Sequence, residues 1–258
     1  MRFPLRLTAD ITRARLSKRL GFAPDARPIQ FLDAAEILHH DSSRPVSHEK
    51  IRSLISSRSP AIWIGGSEPL LHPGIAHLVR AITGSSHSVF LETDGTLLRR
   101  RIHEFQPVPR LFLTVRLEAA AKGHAPNGIP ARAFELAVEG IRAARLSGFL
   151  ICVHARVRPE TDLGETADLI QLAQSLDADG IVITPPNGAS NPAHLDAAAL
   201  QQEAAEARKR IGSMWWESFS RMVEPVLSGR QSAAQDIGEG GVRLEQESHA
   251  DEEGVRIA

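Results

Sequence analysis

A chain of 258 residues, 42% of them hydrophobic, is long enough to bury a substantial core, and its formal net charge of −1 excludes nucleic-acid binding driven by bulk electrostatics. Its single cysteine excludes an intramolecular disulfide and a cysteine-based zinc cage. No apolar stretch reaches the roughly 20 residues needed to span a bilayer. The basic N-terminus lacks a signal peptide's apolar core and cleavage site, so a cytoplasmic protein is expected. In chain order, residues 5–20 predict a basic amphipathic helix with Leu7, Ile11 and Leu20 on one face and Gly21 as its stop. Pro28 to Asp33 predicts the first strand, and Ser47 N-caps a helix over 47–57. Ala61 to Gly65 is the second strand. Pro73 suits the first turn of the next helix, with an apolar stripe of Ile75, Leu78, Val79 and Ile82 closed by Gly84.

Ser88 to Glu92 predicts the third strand, followed by the turn Thr93-Asp94-Gly95, and Arg110 to Leu117 the fourth. Residues 131–147 predict a helix with Phe134, Val138 and Ile141 in register and Gly148 as its stop. Phe149 to Val157 is the fifth strand. Asp162 and Glu165 have capping-box spacing at the head of the next helix. Gly180 to Thr184 is the sixth strand, broken by Pro185-Pro186-Asn187-Gly188, and Leu200, Ala204, Ala207 and Ile211 mark a further helix. Six βα units predict an α/β protein, a partial (β/α)6 TIM-like barrel with its ligand site at the C-terminal ends of the strands. Residues 1–27 form an N-terminal basic helix and lead-in, 28–227 the partial barrel, and 228–258 an acidic tail too poor in large apolar residues to offset its ordering entropy.

The residues just after the strands are therefore the candidates. Gly65 and Gly66 let backbone approach a ligand without a Cβ in the way. Glu68 follows as a carboxylate able to accept from a ligand ammonium group. The plainer reading of Gly65 to Leu71 is a tight strand-to-helix connection with Glu68 favoured by the helix dipole. In the fourth strand Arg116 and Glu118 alternate onto one side and are placed to pair with each other, or Arg116 to meet a ligand carboxylate or phosphate. His154 and Arg156 alternate likewise in the fifth. The competing reading for all four is structural ion pairing or filling of the barrel mouth.

The motif series resembles the radical S-adenosylmethionine (SAM) superfamily. Gly66-Ser67-Glu68-Pro69-Leu70 stands where those proteins carry Gly-Gly-Glu-Pro-Leu, with Ser67 in place of the second glycine, and Thr93-Asp94-Gly95 stands where they carry Thr-Asn-Gly. The segments LSKRLGFAPDARP, GGSEPLLHP, FELAVEGIRAARLSGF and DADGIVITPP are similar to the branch that builds adenosylhopane in hopanoid lipid synthesis. The likeness covers roughly residues 5–227. It implies a SAM-binding barrel mouth drawing on Gly65, Gly66, Ser67, Glu68, Thr93, Asp94, Arg116, Glu118, His154 and Arg156. It also implies a C-x3-C-x2-C loop after the first strand that holds a [4Fe–4S] cluster. Here that stretch is Leu38-His39-His40-Asp41-Ser42-Ser43-Arg44-Pro45, shorter than the family's loop and without cysteine, so it reads as a deletion and a solvated polar loop. Cys152 lies among Phe149, Leu150, Ile151 and Val153 as a small buried hydrophobe.

Three functions compete. The first is a degenerate radical-SAM-fold protein, a pseudoenzyme without a [4Fe–4S] cluster. It binds SAM or a related nucleoside, or serves as regulatory or scaffolding partner to an active enzyme of the same pathway. The second is an enzyme using the same mouth for metal-independent acid–base chemistry through Glu68, Asp94, His154 and Arg156. The third is an accessory protein of a membrane-linked lipid pathway, with the basic face of residues 2–19 lying on anionic lipid; its plainer alternative is a helix packed on the barrel with a solvated basic side.

Overall fold

The computed structural model describes residues 1, 3–23, 27–37, 46–118, 131–156, 163–185 and 197–239. Six strands form one parallel sheet in sequential order: β1 (Ile29–Asp33), β2 (Ala61–Gly65), β3 (Ser88–Thr93), β4 (Leu111–Glu118), β5 (Leu150–Arg156) and β6 (Gly180–Thr184). The helices are α1 (Leu5–Arg19), α2 (His48–Ile55), α3 (Ile75–Gly84), α4 (Leu98–Arg101), α5 (Ala131–Leu146), α6 (Leu163–Ser175), α7 (Ala197–Lys209) and α8 (Met214–Glu239). Strands β2, β3 and β6 are buried at every position. Both faces of the sheet are covered, which is why these strands read as continuous apolar runs rather than alternating ones.

The two faces of the sheet differ. A Cβ on Gly95 would meet both Ala137 of α5, at 2.8 Å, and Val115 of β4, at 3.0 Å, so the Val115 parity marks the outer, helix-covered face. The opposite parity carries an aromatic row in register, Phe31, Trp63, Phe90 and Phe112. Trp63 stacks on Phe90 with ring centroids 5.4 Å apart, and Phe90 on Phe112 at 4.6 Å. Helix α8 packs on both edge strands, β1 and β6, and lays its own rings on this row. Phe219 meets Phe90 at 4.9 Å and Trp216 meets Phe112 edge-on at 6.3 Å. Gly180 makes room for it: a Cβ there would lie 2.0 Å from the Trp216 ring. Helix α8 thus fills the concavity of a curled half-barrel at the level of the aromatic row. The polar side chains Glu92, Arg116, His154 and Thr184 lie beyond it, toward the strand C-termini.

The structure adjusts several expectations. Leu20 is exposed rather than on the buried face with Leu7 and Ile11, because at about 100° per residue it falls on the opposite side of the helix. Helix α3 begins at Ile75, after Pro73; the proline that opens a helical turn is Pro69, at the head of a 3₁₀ turn over Pro69–Leu71. Ser47 caps α2 as expected, accepting from Lys50 N at 3.2 Å. Helix α8 continues to Glu239, into the stretch expected to be tail. His39, His40 and Asp41, the Asp162 cap, and residues 240–258 lie outside the described residues.

Candidate functional site at the strand C-termini

The turn after β2 is wired to the turn after β3 through one carboxylate. Glu68 Oε1 accepts from Leu70 N at 3.0 Å and from Thr93 Oγ1 at 2.8 Å, and its Oε2 accepts from Asp94 N at 2.8 Å. Thr93 Oγ1 in turn accepts from Gly95 N at 3.1 Å. Asp94 Oδ1 closes its own turn on Thr96 N and Oγ1, at 2.8 and 2.7 Å. Burial pushes the Glu68 carboxyl above its ordinary value, against the pull of the Asp94 and Thr93 donors. Glu68, Thr93 and Asp94 therefore come together as the motif series implies, but Glu68 already holds three protein donors. Arg101 supports the turn from below, donating to the Leu70 carbonyl and, at 2.9 Å, to the His72 carbonyl.

The two glycines make room for neighbouring protein side chains. A Cβ on Gly65 would lie 2.4 Å from Glu92 Oε2, and one on Gly66, which has φ +85°, would lie 2.5 Å from Asp33 Oδ1. Protein carboxylates occupy the space that the missing side chains free. Ser67 is exposed beside them. Gly95, at φ +83°, brings its turn against α5, where a Cβ would meet Ala137 Cβ at 2.8 Å.

Glu92 is the centre of a second, buried group. Its Oε2 accepts from Trp63 Nε1 at 2.8 Å; its Oε1 faces His154 Nδ1 at 2.9 Å and Arg116 Nη1 at 3.4 Å. A carboxylate only accepts, so His154 carries its proton on Nδ1, and Nε2 accepts from Thr184 Oγ1 at 2.9 Å. Burial works to raise the Glu92 carboxyl, but the facing His154 and Arg116 and the donated bonds outweigh it and hold it at about 2. Burial pushes His154 below its ordinary value, against the attraction of Glu92. The pair thus stands as an ionised carboxylate and a neutral imidazole at neutral pH. Arg116 pairs with Glu92 across the strands, where the sequence suggested Glu118; Glu118 is opposite Arg156 in the β4–β5 register, and Arg156 opposite Thr184.

Sequence reasoning did not single out Glu92, Trp63, Thr184, Asp33 or Arg101. A signal for Glu92 was present: a charged residue of inward parity in a strand otherwise built for burial. The donor set does not fit a three-thiolate cluster. The chain has one cysteine, and Cys152 is fully buried in β5 with its thiol pushed well up by burial. Among the described residues no group of three or more His, Cys, Asp or Glu is placed to hold a metal ion. No described helix is long and apolar enough to cross a membrane.

No family model matches the chain. A protein of Pyrobaculum aerophilum described as a probable GTP 3′,8-cyclase is 31% identical over 119 residues, 45% of this chain and 38% of that protein. Among solved structures, Streptococcus suis SuiB bound to S-adenosylmethionine superposes with a TM-score of 0.55 at 12% identity, over 78% of this chain and 49% of that one. A second SuiB structure gives 0.51 at 12% identity, over 72% and 45%. The chain thus spans about two fifths of the cyclase and about half of SuiB. These superpositions and the sequential six-strand sheet agree on one architecture: the chain has the partial (β/α)6 half-barrel fold of the radical SAM type.

Proposed function

We propose that this chain is a member of the radical SAM superfamily that keeps the barrel and the nucleoside-binding turn but performs no cluster-based radical chemistry. In this reading it binds SAM or a related adenosyl nucleoside at the strand C-termini and serves as a regulatory or scaffolding partner to an active enzyme of its pathway, a hopanoid-like lipid pathway by its sequence likeness. The local identity to the cyclase and the half-barrel shared with SuiB support the superfamily reading. The observation that carries the proposal is the contrast between the two halves of the site. The Glu68–Thr93–Asp94 wiring is intact, while the chain's one thiol is buried in β5. The turn backbone, the Glu68 carboxylate beyond its three protein donors, and Arg116 beside Glu92 are the groups assigned to the ammonium and carboxylate of a SAM-like ligand. Anaerobic reconstitution with iron and sulfide tests the claim. The expected result is no stoichiometric cluster by absorbance or by EPR after reduction; a stoichiometric [4Fe–4S] signal would overturn it.

A second reading is favoured by the Thr184–His154–Glu92 chain. A buried neutral histidine oriented by an ionised carboxylate and hydrogen-bonded to a hydroxyl is the arrangement of a general base with its orienter. Under that reading the mouth carries metal-independent acid–base chemistry, and His154→Gln abolishes turnover while leaving nucleoside binding intact.

A further inference from the structure

Helix α1 has two apolar faces, and the barrel covers one of them. Leu7 and Ile11 are buried. Leu5, Leu16 and Leu20 are 86%, 54% and 59% exposed. At about 100° per residue these three leucines fall within about 60° of one another, on the side away from Leu7 and Ile11. Arginines border the stripe on both sides, all exposed: Arg6 and Arg13 along one flank, Arg15 and Arg19 along the other. The helix's one acid, Asp10, lies off the stripe; Arg110 holds it at 3.4 Å, and Arg13, itself 81% exposed, lies 3.8 Å from its other oxygen. Beyond the C-terminal end, Phe22 is exposed. Beside the N-terminal end, half-exposed Trp215 stacks on Phe3 at 6.3 Å.

We propose that the outward face of α1 docks on an anionic lipid surface. The charge pattern selects the occupant. A leucine stripe one helix wide and bordered on both sides by arginines suits a plane in which acyl chains receive the leucines and the arginine stems reach up to phosphates. The stripe is the convex face of a single helix, which a deformable lipid plane receives more readily than a folded acidic protein partner does. This inference does not depend on nucleoside binding.

Vesicle co-sedimentation of the full chain tests it, using phosphatidylglycerol–phosphatidylcholine vesicles beside pure phosphatidylcholine. The expected result is pelleting with the anionic vesicles and not with the neutral ones. Each arginine near an anionic surface is worth roughly a fivefold change in partitioning, so Arg13→Glu with Arg19→Glu lowers it at least twenty-fivefold. Leu16→Glu lowers it about tenfold or more. All three side chains are solvent-facing, so the variants keep the wild-type circular dichroism and melting temperature. No pelleting with anionic vesicles, equal pelleting with neutral ones, or pelleting unchanged by Leu16→Glu would each overturn the proposal.

Discussion

Gly65→Ala is the sharpest single-atom probe of the mouth. The added Cβ lies 2.4 Å from Glu92 Oε2, 3.2 Å from Glu92 Cβ and 3.2 Å from Trp63 Nε1. A carboxylate at the end of a free side chain would simply swing away. This one is buried and held by Trp63, His154 and Arg116, so moving it breaks at least one charge-assisted bond. Overpacking a well-filled interior costs about 1–3 kcal/mol, and a hydrogen bond to a charged group is worth about 1.5–3 kcal/mol. A loss of about 3 kcal/mol is expected, or a melting temperature lower by about 6–12 °C for a domain of this size. Urea unfolding followed by tryptophan fluorescence measures it, with the slope on urea unchanged. Gly84→Ala, at the end of α3 with nothing within 4 Å of the added Cβ, is the control and is expected to be neutral or slightly stabilising. In a Glu92→Ala background the Gly65→Ala penalty should shrink by about 2 kcal/mol, since the colliding carboxylate is gone. A Gly65→Ala protein within about 0.5 kcal/mol of wild type would refute the tight packing of carboxylate against the turn.

Gly180→Ala drives a Cβ into the buried Trp216 ring, which has no room to rotate among Phe3, Phe112 and Phe219. A loss of about 3 kcal/mol and altered near-ultraviolet circular dichroism are expected, and an unchanged melt would refute the position of α8. Glu68→Gln replaces an acceptor of three donors by an amide with one oxygen, so at least one donor loses its partner. The expected cost is about 1–3 kcal/mol by urea unfolding, and a change below about 0.3 kcal/mol would contradict the wiring. Glu92 has a folded value of about 2, below its unfolded value of roughly 4.3, so its contribution is present above about pH 4.3 and is lost as pH falls toward 2. The stability gap between wild type and Glu92→Gln should be flat from pH 7 to 8, where His154 is neutral in both, and close as pH falls toward 2. A gap unchanged at pH 3 would contradict this. His154 adds to acid sensitivity, since its folded value lies below the unfolded one and protonation below about pH 6.5 favours the unfolded chain.

Much of the sheet is legible in the sequence because a parallel strand covered on both faces must be apolar throughout. Ala61–Gly65 and Gly180–Thr184 coincide with the expected bounds. Helix α8 is harder to read, since Pro225 interrupts it and polar residues follow. Yet Trp216, Phe219, Val223 and Leu227 recur at helical spacing and are all buried. The Glu68–Thr93–Asp94 turn is legible as a motif, whereas the Glu92 group is not. Alternation along one strand tells which residues share a face, but not which residue of a neighbouring strand lies opposite. Arg116 illustrates the difference. Residues two apart on a strand are separated by nearly two rises of about 3.3 Å, while a long side chain easily reaches a diagonal neighbour on the next strand. It therefore meets Glu92 across the β3–β4 ladder, where Glu92 is opposite Thr114. The glycines mislead in another way: their missing side chains can serve a ligand or a neighbouring carboxylate, and only the fold reveals Glu92 and Asp33 in those places.

Isothermal titration of the iron-free chain with S-adenosylmethionine, S-adenosylhomocysteine and 5′-deoxyadenosine tests the central claim most directly. The account predicts saturable one-to-one binding of at least one of the three, weakened by Glu68→Ala and unaffected by Leu16→Glu on the far face of α1. Absence of heat and of binding with all three ligands would contradict a retained nucleoside site in this half-barrel.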